Sequence, residues 1–397
     1  MENTVPAVPP LPTKRPRPLD PPDEYAAFRK GPPTRVGLPD GSVHWLVSRH
    51  ADVRAVLADP RFSADDTHPS FPRMFPLPPV PGMLSFLRFD DPQHGRLRRM
   101  LTGEFTMRRT NALRPAIGRI VDDLLEAMAR QGPPTDLVKA FALPLPSLVI
   151  CELLGVPYAD HDFFQEHSAA ALSLEAGPER SAAAMEEIGR YLDGLVADKE
   201  RAPTDDLLGR AAARVAAGEL DHDELVSMAR LLLIAGHETT ANMIGLGTLV
   251  LLRRPDQLAA LRAEPALIRS AVEELLRHLT IVQLGTARVA REPVEVGGVT
   301  VPAGEGVVVA LPAANRDPEH FPEPDRFDIR RDAGQHVAFG FGMHQCIGQM
   351  LARVEMEIAF TRLFERFPGL ALAADEAGLR FRDGMIIYGM HELPVRW

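Results

Sequence analysis

A mainly α-helical fold with a minor β region is predicted by three features of the sequence. Apolar residues recur at i, i+3 and i+4 through most of the chain, and the few β-type runs are gathered together instead of alternating with helices. No low-complexity linker or internal repeat divides the chain. A doubly wound sheet is therefore not expected.

Composition bounds the function classes. The 397 residues are 45% hydrophobic and 25% charged, which excludes disorder as the main state. The net charge of −10 argues against a general nucleic-acid binder, whose footprint is basic. Two cysteines, Cys151 and Cys346, cannot build a disulfide framework or a thiolate-only zinc site. Together with a first segment, MENTVPAVPPLPTKRPRP, that lacks an apolar signal core, this leads us to expect a cytoplasmic protein with no membrane anchor.

Eleven of the 37 prolines fall in the first 39 residues, and residues 1–20 read as a Pro-rich extended arm that precedes packed structure, with 21–397 as one domain. Ser42 to Val47 is a candidate strand. Seven prolines between Pro69 and Pro92 are interleaved with Phe71, Met74, Phe75, Met83, Phe86 and Phe89, a pattern that suits a loop covering something hydrophobic and equally a plain surface loop. Ile117, Ile120, Val121, Leu124, Leu125 and Met128 mark a helix that stops at Gly132-Pro133.

Asp221 and Glu224 have capping-box spacing at the start of a helix running to Arg254, about 50 Å long at 1.5 Å per residue. Its apolar stretch from Met228 to Leu252 is broken by Arg230, His237, Glu238 and Asn242, so it reads as a buried core helix and not a membrane span. Pro265 opens a helix carrying Leu267, Ile268, Ala271, Val272, Leu275 and Leu276. Val294 to Val301 is a hairpin turned at Gly297-Gly298, and Val307 to Ala310 is the next strand. A last helix runs from about Gly348 to Phe367.

Familiar cofactor signatures are incomplete. There is no GxxxxGK[ST] or GxSxG, Gly340-Phe-Gly342 lacks the third glycine of GxGxxG, and His237-Glu238-Thr-Thr-Ala241 lacks the second histidine of HExxH. Cys346 stands apart. It lies in Phe339-Gly340-Phe-Gly342-Met-His344-Gln-Cys346-Ile-Gly348, directly before a helix, where amide donors and the helix dipole favour a thiolate. An isolated cysteine is more often an inert core residue, as Cys151 within Leu148-Val-Ile-Cys-Glu-Leu-Leu154 reads.

The pattern F-G-x-G-x-H-x-C-x-G resembles the haem-binding loop of the cytochrome P-450 superfamily, a class whose haem iron is held by a cysteine thiolate. Other segments share the resemblance. Ala235-Gly-His-Glu238-Thr239-Thr240 resembles the oxygen-activation motif, Glu274-Leu-Leu-Arg277 the E-x-x-R pair with Arg326 as third member, and His94-x-x-x-Arg98 the propionate-binding pair. The tail Leu393-Pro-Val-Arg-Trp397 is similar to that of many soluble bacterial members, and the wording of the motifs is most like actinobacterial ones.

The resemblance implies one triangular domain with a long central helix over haem b, iron protoporphyrin IX, ligated by Cys346. It implies further cofactor contacts from His94, Arg98, Arg288, His344, Phe339, Gly340 and Gly348, and catalytic roles for Glu238 and Thr239. Phe86, Ile234, Ala235, Val282, Leu284 and Ile386, with Met385, are candidate pocket walls; being mainly apolar, they suggest a hydrophobic substrate.

The implied reaction is insertion of one oxygen atom from O2 into a polyketide, other natural product or xenobiotic by a monomeric enzyme. Electrons would come from a ferredoxin and ferredoxin reductase, since the chain has no flavin, nicotinamide or iron–sulfur motif; Arg96, Arg99 and Arg353 are the expected docking patch. A peroxide-driven relative is the nearest alternative, though such members tend to lack the acid-alcohol pair. A thiol hydrolase or acyltransferase using Cys346 and His344 is a different class, disfavoured because side chains at i, i+2 do not face each other on a helix. A noncatalytic haem-binding protein would leave the oxygen motif without a purpose.

Overall fold

The computed structural model describes residues 8–74, 85–172, 177–284, 286–383 and 385–397. The helices are α1 (Tyr25–Phe28), α2 (His50–Ala58), α3 (Gln93–Thr102), α4 (Met107–Gln131), α5 (Pro144–Leu154), α6 (His161–Leu172) and α7 (Pro178–Arg201). They continue as α8 (Leu207–Ala216), α9 (His222–Leu252), α10 (Pro255–Ala263), α11 (Ile268–Leu279), α12 (Leu311–Ala314) and α13 (Gln349–Arg366). Strands are short: β1 (Thr34–Gly37), β2 (Val43–Val47), β3 (Phe62–Ser63), β4 (Thr135–Asp136), β5 (Ala287–Ala290), β6 (Val294–Val296), β7 (Val299–Val301), β8 (Gly306–Val309), β9 (Ala371–Leu372) and β10 (Pro394–Arg396). The helical class with gathered strands is as the sequence predicts.

Helix α9 organises the main core. Asp221 accepts from Glu224 N while the Glu224 side chain accepts from Asp221 N, closing the capping box. Its 31 residues extend about 46 Å at 1.5 Å per residue, and apolar side chains cover nearly its whole circumference, as a helix surrounded by others requires. Helices α5, α7, α8, α11 and α13 pack against it. It ends at Leu252 and not Arg254, because Pro255 pushes the preceding residue out of the helical region; Arg254 has φ −127° and ψ 69°.

A five-stranded sheet, ordered β1-β2-β8-β5-β3, stands beside this helical core. Only β2 and β8 run parallel within it, Trp45 opposite Val307 and Val47 opposite Val309. Valines from both strands meet Val53, Val56 and Leu57 of α2 in a second core. The β6-β7 hairpin turns at Gly297 and Gly298, whose φ values of 55° and 87° suit the paired left-handed positions of a two-residue turn. Strand β10 lies between β4 and β9 and so ties residues 394–396 to the end of α4.

The expectation of an arm preceding packed structure needs correction for residues 9–20. The segment is extended, but Leu11 N donates to Gly37 O and Gly37 N to Pro9 O, both at 2.9 Å, and Tyr25 Oη reaches Pro12 O. Leu11 and Arg15 are buried. Proline keeps the strap extended, while apolar contact and β1 hold it down. Of the proline-aromatic loop, Phe75 and Met83 lie outside the described residues; Phe71 packs on Ala287 and Val289. Among the described residues no helix is long and apolar enough to cross a membrane.

Candidate active site

A cavity of about 390 Å³ lies between the Cys346 loop and α9. The loop is shaped by Gly340 and Gly342, with φ values of 70° and 72°, and Cys346 N donates to Phe339 O at 2.9 Å. Gly348 then starts α13. Cys346 is a free thiol whose surface opens onto the cavity. Burial among protein groups raises its pKa, opposed by hydrogen bonds from the Gly348 and Gln349 amides and by the charges of Arg98 and Arg353. The amides expected at the helix start are therefore present, but in the protein alone desolvation outweighs them. A bound metal ion reverses that balance by deprotonating a coordinating thiol.

Basic side chains collect on one flank of the cavity. Arg98, Arg288 and His344 line it, and the His94 ring stacks at a tilt on His344 with centroids 4.1 Å apart. Arg98 donates to Gln345 O, and Arg288 donates to the backbone carbonyl of Ala287 at 2.7 Å. Burial pushes the Arg288 guanidinium down to about 10. Burial, then Arg288, His94 and Arg98, drives His344 down to about 2. Among the described residues neither ring nitrogen of His94 nor Nε2 of His344 has a hydrogen-bond partner, although His94 Nδ1 lies 3.4 Å from Asp91 Oδ1.

Buried donors without acceptors are costly, and the two guanidiniums on this wall, Arg98 and Arg288, have no carboxylate partner among the described residues. The residues present thus fit a large planar cofactor that brings carboxylates to this flank, a thiol ligand site to its face and little else polar. Phe339, Gly340 and Gly348 also line the cavity.

On the opposite wall Ala235, Gly236, Thr239 and Thr240 of α9 face the cavity. Thr239 Oγ1 donates back to Ala235 O at 2.8 Å, the local bond that loosens a helix turn. Glu238, one residue earlier, is rotated behind the helix and is 1% exposed. Its Oε2 accepts from Arg382 Nη1 at 3.2 Å and Asn242 Nδ2 at 3.3 Å, while Oε1 is unpartnered. The acid and alcohol are thus neighbours in sequence on different faces, with only the alcohol in the cavity.

Of the candidate walls, Phe86, Ala235, Val282, Leu284 and Ile386 line the cavity. Ile234 does not; its place on the helix turns it into the core, and Ile150 from α5 takes up the wall instead. Met385 is buried away from the lining. Lining residues that escaped the sequence reading include Arg88, Ile150, Met243 and Glu355. Glu355 continues the α13 stripe of Leu351 and Ala352, a helical signal that marks it in retrospect. Its carboxyl is buried, has an unpartnered Oε2, and is pushed up to about 8 by desolvation.

The Glu-Arg network is real but its third member differs. Arg277 Nε and Nη2 grip both Glu274 oxygens at 2.7 and 2.8 Å, fully buried. Arg326 does not join: its side chain is 60% exposed beside Glu323 and Asp328. Arg331 takes the place, with Nε 3.2 Å from Glu274 Oε1. The turn at Glu323, with φ 48°, directs Arg326 outward and leaves only its carbonyl facing Arg277 and Arg331. Cys151 is buried, its thiol pushed up to about 12, as a structural cysteine would be.

The expected docking patch is largely committed elsewhere. Arg96 pairs with Glu224 and Arg353 with Glu273, which leaves Arg99 as its exposed member.

Comparison with known proteins supports the same chemistry. The family model described as Cytochrome P-450 matches residues 179–376. The chain is 54% identical to cytochrome P-450-SU2 of Streptomyces griseolus, over 96% of this chain and 94% of that protein. It is 53% identical to pentalenic acid synthase of Streptomyces avermitilis, over 98% and 97%. Among solved structures, the mycinamicin VIII C21 methyl hydroxylase MycCI of Micromonospora griseorubida, bound to mycinamicin VIII, superposes with a TM-score of 0.90 at 45% identity, covering 95% of this chain and 96% of that one.

Proposed function

The chain belongs to the cytochrome P-450 family of monooxygenases, and from that premise we propose that it inserts one atom of O2 into a hydrophobic natural product or related organic molecule by hydroxylation or epoxidation. The observation that carries this reading is the cavity itself, with Cys346 on one wall, Thr239 on the other and, on the flank between them, Arg98 and Arg288 without a carboxylate partner among the described residues. The hydroxylase bound to mycinamicin VIII and the pentalenic acid synthase support a natural-product substrate.

In this reading Cys346 Sγ would hold the iron of haem b, and His94, Arg98, Arg288 and His344 would hold its carboxylates. Haem with a thiolate ligand supplies reductive cleavage of the O–O bond when bound. Thr239 presents its hydroxyl at the cavity face, with the proton held by Ala235 O. Glu238, behind the helix, holds a carboxylate between Asn242 and Arg382 and takes up protons from that side. Apolar walls from Phe86, Val282, Leu284 and Ile386 orient the substrate and exclude water.

The electron donors are a ferredoxin and its reductase, with Arg99 on the docking face; charge reversal at Arg99 weakens reduction without altering substrate binding. Residues 21–397 act as a single monomeric domain, with residues 9–20 strapped to it.

One experiment tests the reading. The reduced protein under carbon monoxide should show the red-shifted Soret band of thiolate-ligated haem, absent in Cys346→Ser. A protein that stays colourless as isolated and after haem reconstitution would overturn it.

A further inference from the structure

Arg15 is a charged residue of the N-terminal strap, 7% exposed, and among the described residues no carboxylate bonds to it. Its Nε donates to Gln283 Oε1 at 3.0 Å, its Nη atoms reach Leu279 O and Thr280 O at 3.5 Å, and its Cζ lies 4.0 Å over the Tyr388 ring. Burial without a counterion is expensive for a guanidinium.

Gln283 is also buried, and its amide has one possible orientation. Oε1 faces a donor, while Nε2 faces the carbonyls of Met385 at 2.8 Å and Asp383 at 3.3 Å. The backbone strengthens the same junction, with Gln283 N on Ile386 O, Tyr388 N on Ile281 O and a bridge between Val282 and Ile387. Alternation along an extended segment turns Gln283 away from the cavity and its neighbours Val282 and Leu284 into it. Ile386 and Ile387 face the cavity from the other side of the junction.

We infer that Arg15 is a positioning residue for the ligand cavity, acting through Gln283 to fix the wall formed by Val282, Leu284, Ile386 and Ile387. The strap thereby sets the fit for bulky apolar ligands without touching them. This rests on the haem-thiolate reading only for the optical signal used to test it.

The test compares two probes that shift the Soret band: imidazole, too small to need the wall, and clotrimazole, whose three aryl rings press on it. Arg15→Met replaces the guanidinium with an apolar side chain and removes the cost of burying its charge. Clotrimazole should bind roughly tenfold more weakly to this variant and imidazole within about twofold of wild type. Gln283→Leu should reproduce the pattern and decides the matter if Arg15→Met does not fold. The double variant should lose little more than either single one, as coupled residues do. Unchanged clotrimazole affinity, or equal losses for both probes, would overturn the inference. A wild-type protein with no Soret band under any condition overturns the haem reading instead.

Discussion

Arg331 Nε stands 3.2 Å from the same Glu274 oxygen that Arg277 Nη2 reaches at 2.8 Å, so one fully buried carboxylate holds two guanidiniums. Removing the carboxylate leaves Arg277 buried and uncompensated. Glu274→Ala should therefore cost about 3–5 kcal/mol. Arg331→Leu, which leaves the Arg277 grip intact, should cost about 1.5–3 kcal/mol, the range for a hydrogen bond to a charged group. Arg326→Leu should stay within about 0.5 kcal/mol, as exposed substitutions do. Urea midpoints at constant slope rank the three; an Arg326→Leu loss equal to that of Arg331→Leu contradicts the assignment.

The two left-handed glycines of the cysteine loop should not be equivalent. A Cβ on Gly340 meets no protein atom within 4 Å, so Gly340→Ala should cost the haem-free protein only the backbone penalty of about 1–2 kcal/mol. A Cβ on Gly342 would lie 2.3 Å from the Leu57 carbonyl oxygen of α2. Backbone must move to admit it, and the loop carrying Cys346 moves with it. The urea midpoint of the haem-free protein should therefore fall further in Gly342→Ala than in Gly340→Ala, and equal shifts would contradict this.

Glu238 lies behind α9, outside the cavity lining. Glu238→Gln should thus leave substrate-induced Soret shifts and their midpoint concentration unchanged while turnover falls roughly 10²-fold or more, the usual weight of a positioned proton-transfer group. A parallel loss of binding would show that the carboxylate supports the cavity instead.

Glu355 makes stability depend on pH in a defined direction. Its folded pKa is about 8 against an ordinary 4.5, because burial penalises the carboxylate. Below pH 4.5 the group is protonated whether the chain is folded or not. Between 4.5 and 8 only the folded state holds the proton, so stability from this group is lost as pH rises through that window. Glu355→Gln should abolish that slope, and by pH 8 should gain at most about 5 kcal/mol relative to wild type. Denaturant midpoints of the two proteins from about pH 5 to 8 should diverge steadily; parallel curves would contradict it.

Local patterns were legible in the sequence because their geometry is local. The cysteine loop, the Asp221 capping box and the Gly297-Gly298 turn each need only neighbouring residues to define them, and each stands where the pattern puts it. Site residues that depend on chain segments meeting were harder. Arg326 and Arg331 are equally plausible from sequence, and the turn at Glu323 decides between them. Ile234 and Ala235 differ only in helix rotation, which the apolar circumference of α9 does not reveal. Arg88 and Glu355 join the cavity through packing, and the strap is fixed by a glutamine remote in sequence.

The parallel pairing of β2 with β8 also sets an order of assembly. Trp45 leaves the ribosome long before Val307, its partner. At about 5–20 residues per second the first strand waits on the order of tens of seconds. Throughout that interval its inner edge has no β8 to bind, and non-local pairing of this kind is slow to close. The part of the chain made first is therefore among the last to be secured, and a nascent chain stalled before Val307 presents an open strand edge to whatever it meets.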